Sequence, residues 1–380
     1  MVVLHHLLVA FYPTVQNGNL QQSHIGNGNF EIWYCYSPMS VFTNGNFAVY
    51  IFFVLSGYVL SRKYFITNDS SVLISAAVKR YFRLFIPIFF TITVVFIFIK
   101  LHLFLNVSAG QISKSDWLQA FWLFNPDVND LLYNGFFEVF FFKSDKFDTV
   151  LWTMSIELFG SMLVFALLAL THNLRNRWIV YLILLFMFVK LEYFFYASFI
   201  VGIVLSNYYS LLIEFGKTNA SLPVKIILLL AGLLFGGYFS GQSIEGTIYE
   251  KLYLKYVFYS WDSFHFYGSA FLVTGIILSP LLHKVLSIRP VSFLGKLSFS
   301  MYLLHPVVIG SFSSWMLLQF DTIDYNSAML LIIPVTILVV FVTSYLMAVT
   351  IDRMSLTVPG KIYEKIFCQE PFGLCPTSLF

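Results

Sequence analysis

Residues 84–99 read LFIPIFFTITVVFIFI, sixteen residues without a charge. A second stretch, residues 328–350, reads AMLLIIPVTILVVFVTSYLMAVT and is equally free of charge. Each stretch is close to the length that an α-helix needs to cross about 30 Å of hydrocarbon. Both stretches therefore predict membrane-spanning helices.

The composition of the whole chain has the same character. Of its 380 residues, 58% are hydrophobic and 11% are charged, and the mean hydropathy is +0.79. A soluble domain carries charge on about a quarter of its residues, so a water-soluble fold is excluded. The net charge of +3 is modest and no basic stripe is visible. Nucleic acid is therefore not expected as a partner.

Hydrophobic runs, read against charged or Gly/Pro/Asn-rich breaks, predict an all-α polytopic bundle of about ten transmembrane helices. We expect one transmembrane domain over residues 1–365 and a short tail over 366–380. The predicted spans are residues 1–13, 46–62, 84–105, 150–170, 177–190, 192–209, 225–239, 264–283, 297–317 and 328–350.

The basic residues predict how the bundle is oriented. The segment between the second and third spans contains Arg62, Lys63, Lys79, Arg80 and Arg83. The positive-inside rule places such a segment in the cytosol. By alternation, the long segments 13–45, 106–149 and 240–263 then face the exterior or a lumen. The segment 106–149 is amphipathic enough to lie on the membrane surface or to fold back into the protein.

The first span is unusually short. It supplies about 13 apolar residues from Met1, where roughly 20 are needed. A cleaved signal peptide is an alternative, but no basic leader and no small-residue cleavage site precede the polar segment. We therefore expect a first helix that is truncated at its start.

The three cysteines are Cys35, Cys368 and Cys375. None lies in a C-x-x-C pair or at zinc spacing from a histidine, so we expect no metal. A bridge between Cys368 and Cys375 is an alternative to free thiols. The predicted orientation puts both in the cytosol, where thiols stay reduced, and free thiols are favoured.

Ionisable residues inside predicted spans are the first candidates for chemistry, because burying them in a bilayer is costly. They are His5, His6, Glu157 and His305. His6 and Glu157 both fall roughly 10 Å below the exterior surface, so they could meet, and a carboxylate would support His6 as a general base. Neighbours on a helix point about 100° apart, so at most one of His5 and His6 faces the site. The alternative is that each is a polar residue satisfied by a neighbouring helix.

Two further patterns have a structural and a functional interpretation. Ser56 and Gly57 form a small pair in the second span, which suits close helix packing or a thin ligand. Arg80 and Arg83 form a basic cluster at the cytosolic mouth of the third span. The cluster is either an anchor of topology or a binding site for phosphate.

Five patterns follow one another along the chain in a recognisable order. They are the first-span histidine, FFVLSGY at 52–58, R-x-x-R-L-x-x-P at 80–87, LWTMSIE at 151–157, which contains Trp152 and Ser155, and L-G-x-x-S-x-S-x-Y-L-L-H at 294–305. In this order the sequence resembles the type 3 membrane acyltransferases, a family that includes bacterial O-acetyltransferases, and within it a fungal-like branch. The resemblance covers almost the whole chain.

The resemblance implies an O-acyltransferase that uses acyl-CoA from the cytosol and a hydroxyl-bearing acceptor, such as a carbohydrate or a small metabolite. By the same resemblance, His6, or less favourably His5, is the essential histidine, and Arg80 and Arg83 hold the CoA phosphates. Glu157, Ser56, Gly57, Trp152, Ser155 and His305 are motif positions. The family also has an arginine about three helical turns before the histidine, which this sequence does not contain.

Two other functions compete with the acyltransferase. A proton-coupled multi-pass transporter would also place His and Glu inside the membrane, but the paired halves typical of carriers are not visible. An inactive family member is the second alternative, because the expected arginine is absent from the sequence. The organelle, the acyl group and the acceptor do not follow from the sequence.

Overall fold

The structure is a computed structural model that describes residues 1–238, 245–254, 257, 260–320 and 322–367. In these ranges the regular secondary structure is helical. Cys368 and Cys375, and with them the expectation of free thiols, lie outside the described residues. Cys35 is described and is a buried free thiol.

Thirteen helices build the bundle, and they are labelled here in chain order. They are α1 Val2–Phe11, α2 Gly45–Thr67, α3 Ser71–Lys100, α4 Trp152–Leu170, α5 Arg177–Lys190, α6 Phe194–Asn207, α7 Tyr209–Gly216, α8 Ser221–Gly236, α9 Trp261–Leu278, α10 Pro280–Leu286, α11 Arg289–Val308, α12 Tyr325–Met347 and α13 Arg353–Phe367. Two of these helices are prolonged by π-helical turns, Ile309–Ser313 after α11 and Ala348–Asp352 between α12 and α13.

Short helices form the connections between these elements. On the predicted exterior side they are Thr14–Asn17, Leu20–Gln22, Asn29–Tyr36, Pro38–Thr43, Asn106–Ile112, Asp116–Gln119, Val128–Tyr133, Asn134–Glu138, Val139–Phe141 and Ile248–Leu252, and Ser314–Gln319 follows the π-turn of α11. Val139 and Phe140 are fully buried against the bundle. The segment 106–149 therefore folds back into the protein, one of the two arrangements that its amphipathic sequence allows.

Five of the described helical runs are long and apolar enough to cross a membrane, and up to seven if the bent pairs α6–α7 and α9–α10 each count as one span. The chain is thus an all-α polytopic membrane protein. The number of ten spans stays a prediction.

The third helix begins earlier than its hydropathy suggests. The apolar stretch starts at residue 84, but α3 starts at Ser71 and carries Arg80 and Arg83 within the helix. Hydropathy reports only the part of a helix that meets lipid, so it does not detect an extension that reaches into water. α13 packs on this extension of α3.

The closest contact between two helices joins α2 and α6. A Cβ atom on Gly57 would lie 2.2 Å from the carbonyl oxygen of Phe199, and one on Gly202 would lie 2.2 Å from that of Val54. No side chain fits at either position. The packing interpretation of Gly57 is therefore the one that the structure supports.

Candidate active site

A cavity of about 920 Å³ lies between α2, α3, α4 and α11 and is bordered by the end of α12 and the start of α13. The cavity lies at the same end of the bundle as the α2–α3 turn, which is the end predicted to face the cytosol. Its charged lining side chains are Arg80, Arg83, Glu157, Lys296, Asp352 and Arg353.

Arg80 and Glu157 form a buried salt bridge at the inner wall of this cavity. Arg80 Nη2 donates to Glu157 Oε1, and the two side chains are only 10% and 2% exposed. Ser56 Oγ donates to the same Oε1 at 3.0 Å, and Arg80 Nε donates to Ser161 Oγ at 2.8 Å. Removing one partner of such a buried pair leaves an uncompensated charge. The charge of Arg80 is therefore already neutralised within the protein.

Three other cations at the cavity are not neutralised in this way. Arg83 on α3, Lys296 on α11 and Arg353 on α13 are exposed, and none forms a salt bridge within the part of the chain that the structure describes. Asp352 supplies one opposing carboxylate, which also accepts from Ser355 Oγ at 3.1 Å. The outer part of the cavity therefore has a positive balance.

A second, apolar cavity of about 420 Å³ adjoins the first one. Phe52, Ser298 and Phe299 line both cavities. The far side of the apolar cavity is formed by Val2 and Val3 of α1 and by Met301 and Tyr302 of α11. His6 and His305 follow these residues by about one helical turn, roughly 5 Å. The two histidines therefore lie close to the apolar cavity but are not part of its lining.

His6 and His305 contact each other directly. His6 Nδ1 lies 2.8 Å from His305 Nε2. The indole of Trp117 stacks on the other side of His6, with 5.1 Å between ring centroids and 22° between planes. Trp117 belongs to the segment 106–149, so the folded-back exterior segment forms one wall of the site.

The hydrogen bonds assign the protons of this pair. His305 Nδ1 lies 2.9 Å from the carbonyl oxygen of Met301, and a carbonyl only accepts, so Nδ1 carries the proton. In neutral His305, Nε2 is then the acceptor, and His6 Nδ1 donates to it. His6 Nε2 is left with its lone pair, which is the state that a general base requires.

A family model described as an acyltransferase domain matches residues 1–348. The chain belongs to the acyltransferase 3 family. Comparisons with curated proteins and with solved structures found no match. The family match includes the two histidines, the buried ion pair and Lys296, and it ends before Arg353. Family membership makes the chain an acyltransferase rather than the carrier that was the alternative.

In the acyltransferase, His6 does not pair with Glu157, the partner that the sequence suggested. The sequence allowed His6 and Glu157 to meet, but His6 bonds His305, and the partners of Glu157 are Arg80 and Ser56. Glu157 lies where α4 faces the cavity, and Arg80 reaches it from α3 with the opposite charge. The partner of His6 is therefore an imidazole and not the carboxylate that the sequence suggested.

His5 faces another partner. Its Nδ1 donates to the carbonyl oxygen of Thr43 at 3.1 Å. Its ring packs against Gly45, where an added Cβ atom would lie 2.6 Å from the ring. Trp152 packs on Phe195, and Ser155 is buried in α4; neither lines the two cavities.

Sequence reasoning missed Trp117, Lys296 and Arg353 as members of the site. Trp117 was visible only as part of an amphipathic segment. Lys296 was inside a quoted motif, but its position after the start of α11 gave no sign that it faces Arg83 across a cavity. Arg353 was indistinguishable from an anchor at the cytosolic end of the last span.

Proposed function

We propose that this acyltransferase moves an acyl group, acetyl or another short acyl, from acyl-CoA to a hydroxyl of a carbohydrate or small metabolite. The observation that carries the proposal is the His6–His305 pair, because its hydrogen bonds leave His6 Nε2 unprotonated. The cation-lined cavity and the apolar cavity that adjoins it support the proposal.

The cations at the larger cavity provide binding partners for the phosphates of the acyl-CoA donor. The nucleotide part of CoA carries several phosphate charges, and guanidinium and ammonium groups bind phosphate through charge-assisted hydrogen bonds. Arg83 is the member of the sequence-predicted pair that remains available, since Arg80 is paired with Glu157. The apolar cavity beyond Phe52 and Phe299 suits the uncharged arm and the acyl group.

His6 accounts for activation of the acceptor. Its Nε2 takes the proton of the acceptor hydroxyl while the oxygen attacks the thioester carbonyl carbon. The tetrahedral intermediate collapses, the carbon–sulfur bond breaks, and the CoA sulfur leaves with the electron pair and takes the proton from the His6 imidazolium. Throughout, His305 Nε2 accepts from His6 Nδ1 and keeps the ring oriented.

Release of CoA tests this proposal. The purified chain in proteoliposomes is given acetyl-CoA and a panel of sugars and small alcohols, and the free thiol of CoA is followed with a thiol reagent. We expect release that depends on the acceptor and an acetylated product of matching amount. Uptake of a labelled metabolite without any acyl transfer would contradict the proposal and favour a carrier.

A further inference from the structure

The cations around the larger cavity come from three separate helices. Arg83 is on α3, Lys296 on α11 and Arg353 on α13, and all three are exposed and without a salt bridge among the residues described. A topology anchor would need these residues only at the membrane surface. Here they converge on one concave site instead.

The position of Arg353 is fixed by the packing of α13. Lys79 of α3 places its ammonium 4.5 Å from the ring centroid of Tyr363, whose side chain is 1% exposed. At the start of the helix, Ser355 Oγ donates to the Asp352 carbonyl oxygen at 2.7 Å. The π-helical turn Ala348–Asp352 contacts both α3 and α11. Arg353 is therefore presented by a packed helix rather than by a free tail.

The net charge of the side chains that line the larger cavity indicates which kind of donor it binds. Arg80 and Glu157 cancel each other, and Asp352 opposes one of the three remaining cations. Arg83 supplies one positive charge to the cavity lining. Two further cations on α11 and α13 match a donor whose phosphates are spread over a larger group, as in CoA, which has a diphosphate and a separate 3′-phosphate.

We infer that Lys296 and Arg353 bind the 3′-phosphate of the donor and make this enzyme selective for CoA over 3′-dephospho-CoA. The inference rests on acyl-CoA as the proposed donor. It adds a specificity element from α11 and from α13, of which the latter lies beyond the matched family region.

Binding of two commercial probes, CoA and 3′-dephospho-CoA, to the purified full chain in detergent tests the inference without knowledge of the acceptor. Because a hydrogen bond to a charged group is worth about a tenfold or larger change in affinity, we expect the chain to bind CoA at least about tenfold more tightly. Lys296→Ala and Arg353→Ala should each weaken CoA binding by about tenfold and leave 3′-dephospho-CoA within about twofold. Lys296→Arg should retain the preference.

Lys284→Ala is the matched control, since Lys284 is an exposed cation at the same end of the bundle that does not line the cavity. It should change neither affinity. Equal affinity of the unmodified chain for the two probes would overturn the inference and leave the proposed donor standing, as would equal weakening of both probes by the two alanine variants. Failure to bind either probe would instead contradict the proposed function itself.

Discussion

The hydrogen bond between His6 and His305 joins residues that are 299 positions apart in the chain. It determines which nitrogen of His6 is free, because the Met301 carbonyl fixes the proton of His305 and His305 fixes that of His6. A neutral imidazole thus fixes the tautomer of His6, as a carboxylate fixes the tautomer of the histidine in a Ser-His-Asp triad.

In the proposed mechanism His305 is a positioning residue, so its substitution should lower the rate without abolishing CoA binding. We expect His305→Ala to reduce the rate of acyl transfer by about 10- to 100-fold at unchanged CoA affinity. His305→Gln should recover part of the loss, because the amide oxygen still accepts from His6 Nδ1. The measurement is the initial rate at saturating donor, with melting temperatures as a check on folding. Identical rates for the Gln and Ala variants would show that His305 only fills space.

Asp148, just before α4, gives a prediction about pH. Its side chain is fully buried and its Oδ2 has no hydrogen-bond partner among the residues that the structure describes, so burial raises the pKa of Asp148 well above its ordinary value. Below the unfolded-state pKa the residue is protonated in both states and costs nothing. As the pH rises above that value, the folded state is progressively penalised. Asp148→Asn should therefore raise the apparent melting temperature at pH 7 by about 2 °C or more, and not near pH 4.

Asp130 is the matched control for this prediction, with the opposite sign. The hydrogen bond from Lys146 Nζ at 2.7 Å lowers the pKa of Asp130. The stability that it contributes is present above the unfolded-state pKa and is lost as the pH falls. Asp130→Asn should slightly lower the melting temperature at pH 7 and leave it unchanged at low pH. The same pH dependence in both variants would contradict the interpretation of the Asp148 environment.

At the scale of elements, the contact of α2 with α6 holds the wall that carries Ser56. Gly202→Ala would put a Cβ 2.2 Å from the Val54 carbonyl oxygen, so the helices must separate. Overpacking of this kind costs about 1–3 kcal/mol. We expect a lower melting temperature by several degrees and weaker expression.

Gly360→Ala serves as the control, since a Cβ on Gly360 of α13 meets none of the described atoms within 4 Å. Alanine is the better helix former, so stability should be unchanged or slightly higher. A Gly202→Ala variant as stable as Gly360→Ala would show that α2 and α6 are less tightly packed than described.

Hydropathy predicted the helices that face lipid, including the cores of α3 and α12. It could not predict the start of α3 at Ser71 or the bends of 68° after α6 and 95° after α9, because those depend on tertiary packing.

The order of the sequence motifs identified His6, Glu157 and the pair of Arg80 and Arg83 as candidate site residues. The hydrogen-bond partners of those residues were not predictable, since the depth of a residue in the membrane does not show which neighbouring side chain contacts it. Arg80, interpreted as a phosphate ligand, is the residue that pairs with Glu157.

At the scale of the whole molecule, the cation-lined cavity and the histidine pair lie at different depths of one bundle. With the α2–α3 turn in the cytosol, the cation-lined cavity lies at the cytosolic end, and Trp117, from the predicted exterior segment, stacks on His6. The orientation itself is a prediction from the basic residues.

Labelling of single cysteines tests the orientation. We expect an impermeant maleimide to modify Thr67→Cys only from the cytosolic side and Gln111→Cys only from the opposite side, with the native cysteines replaced by alanine. Both positions are exposed. Modification of both from one side would contradict the topology and the proposed side of donor binding.

In the proposed mechanism, His6 activates the acceptor hydroxyl. The most direct measurement is transfer of labelled acetyl from acetyl-CoA in proteoliposomes containing equal amounts of the unmodified chain, His6→Ala or His5→Ala. Loss of a general base costs about 10²- to 10⁴-fold in rate, so His6→Ala should fall by that factor. His5→Ala should stay within about tenfold, because His5 bonds Thr43 instead. A His6→Ala variant that keeps its activity, or a His5→Ala variant that alone loses it, would contradict the role of His6 as the general base.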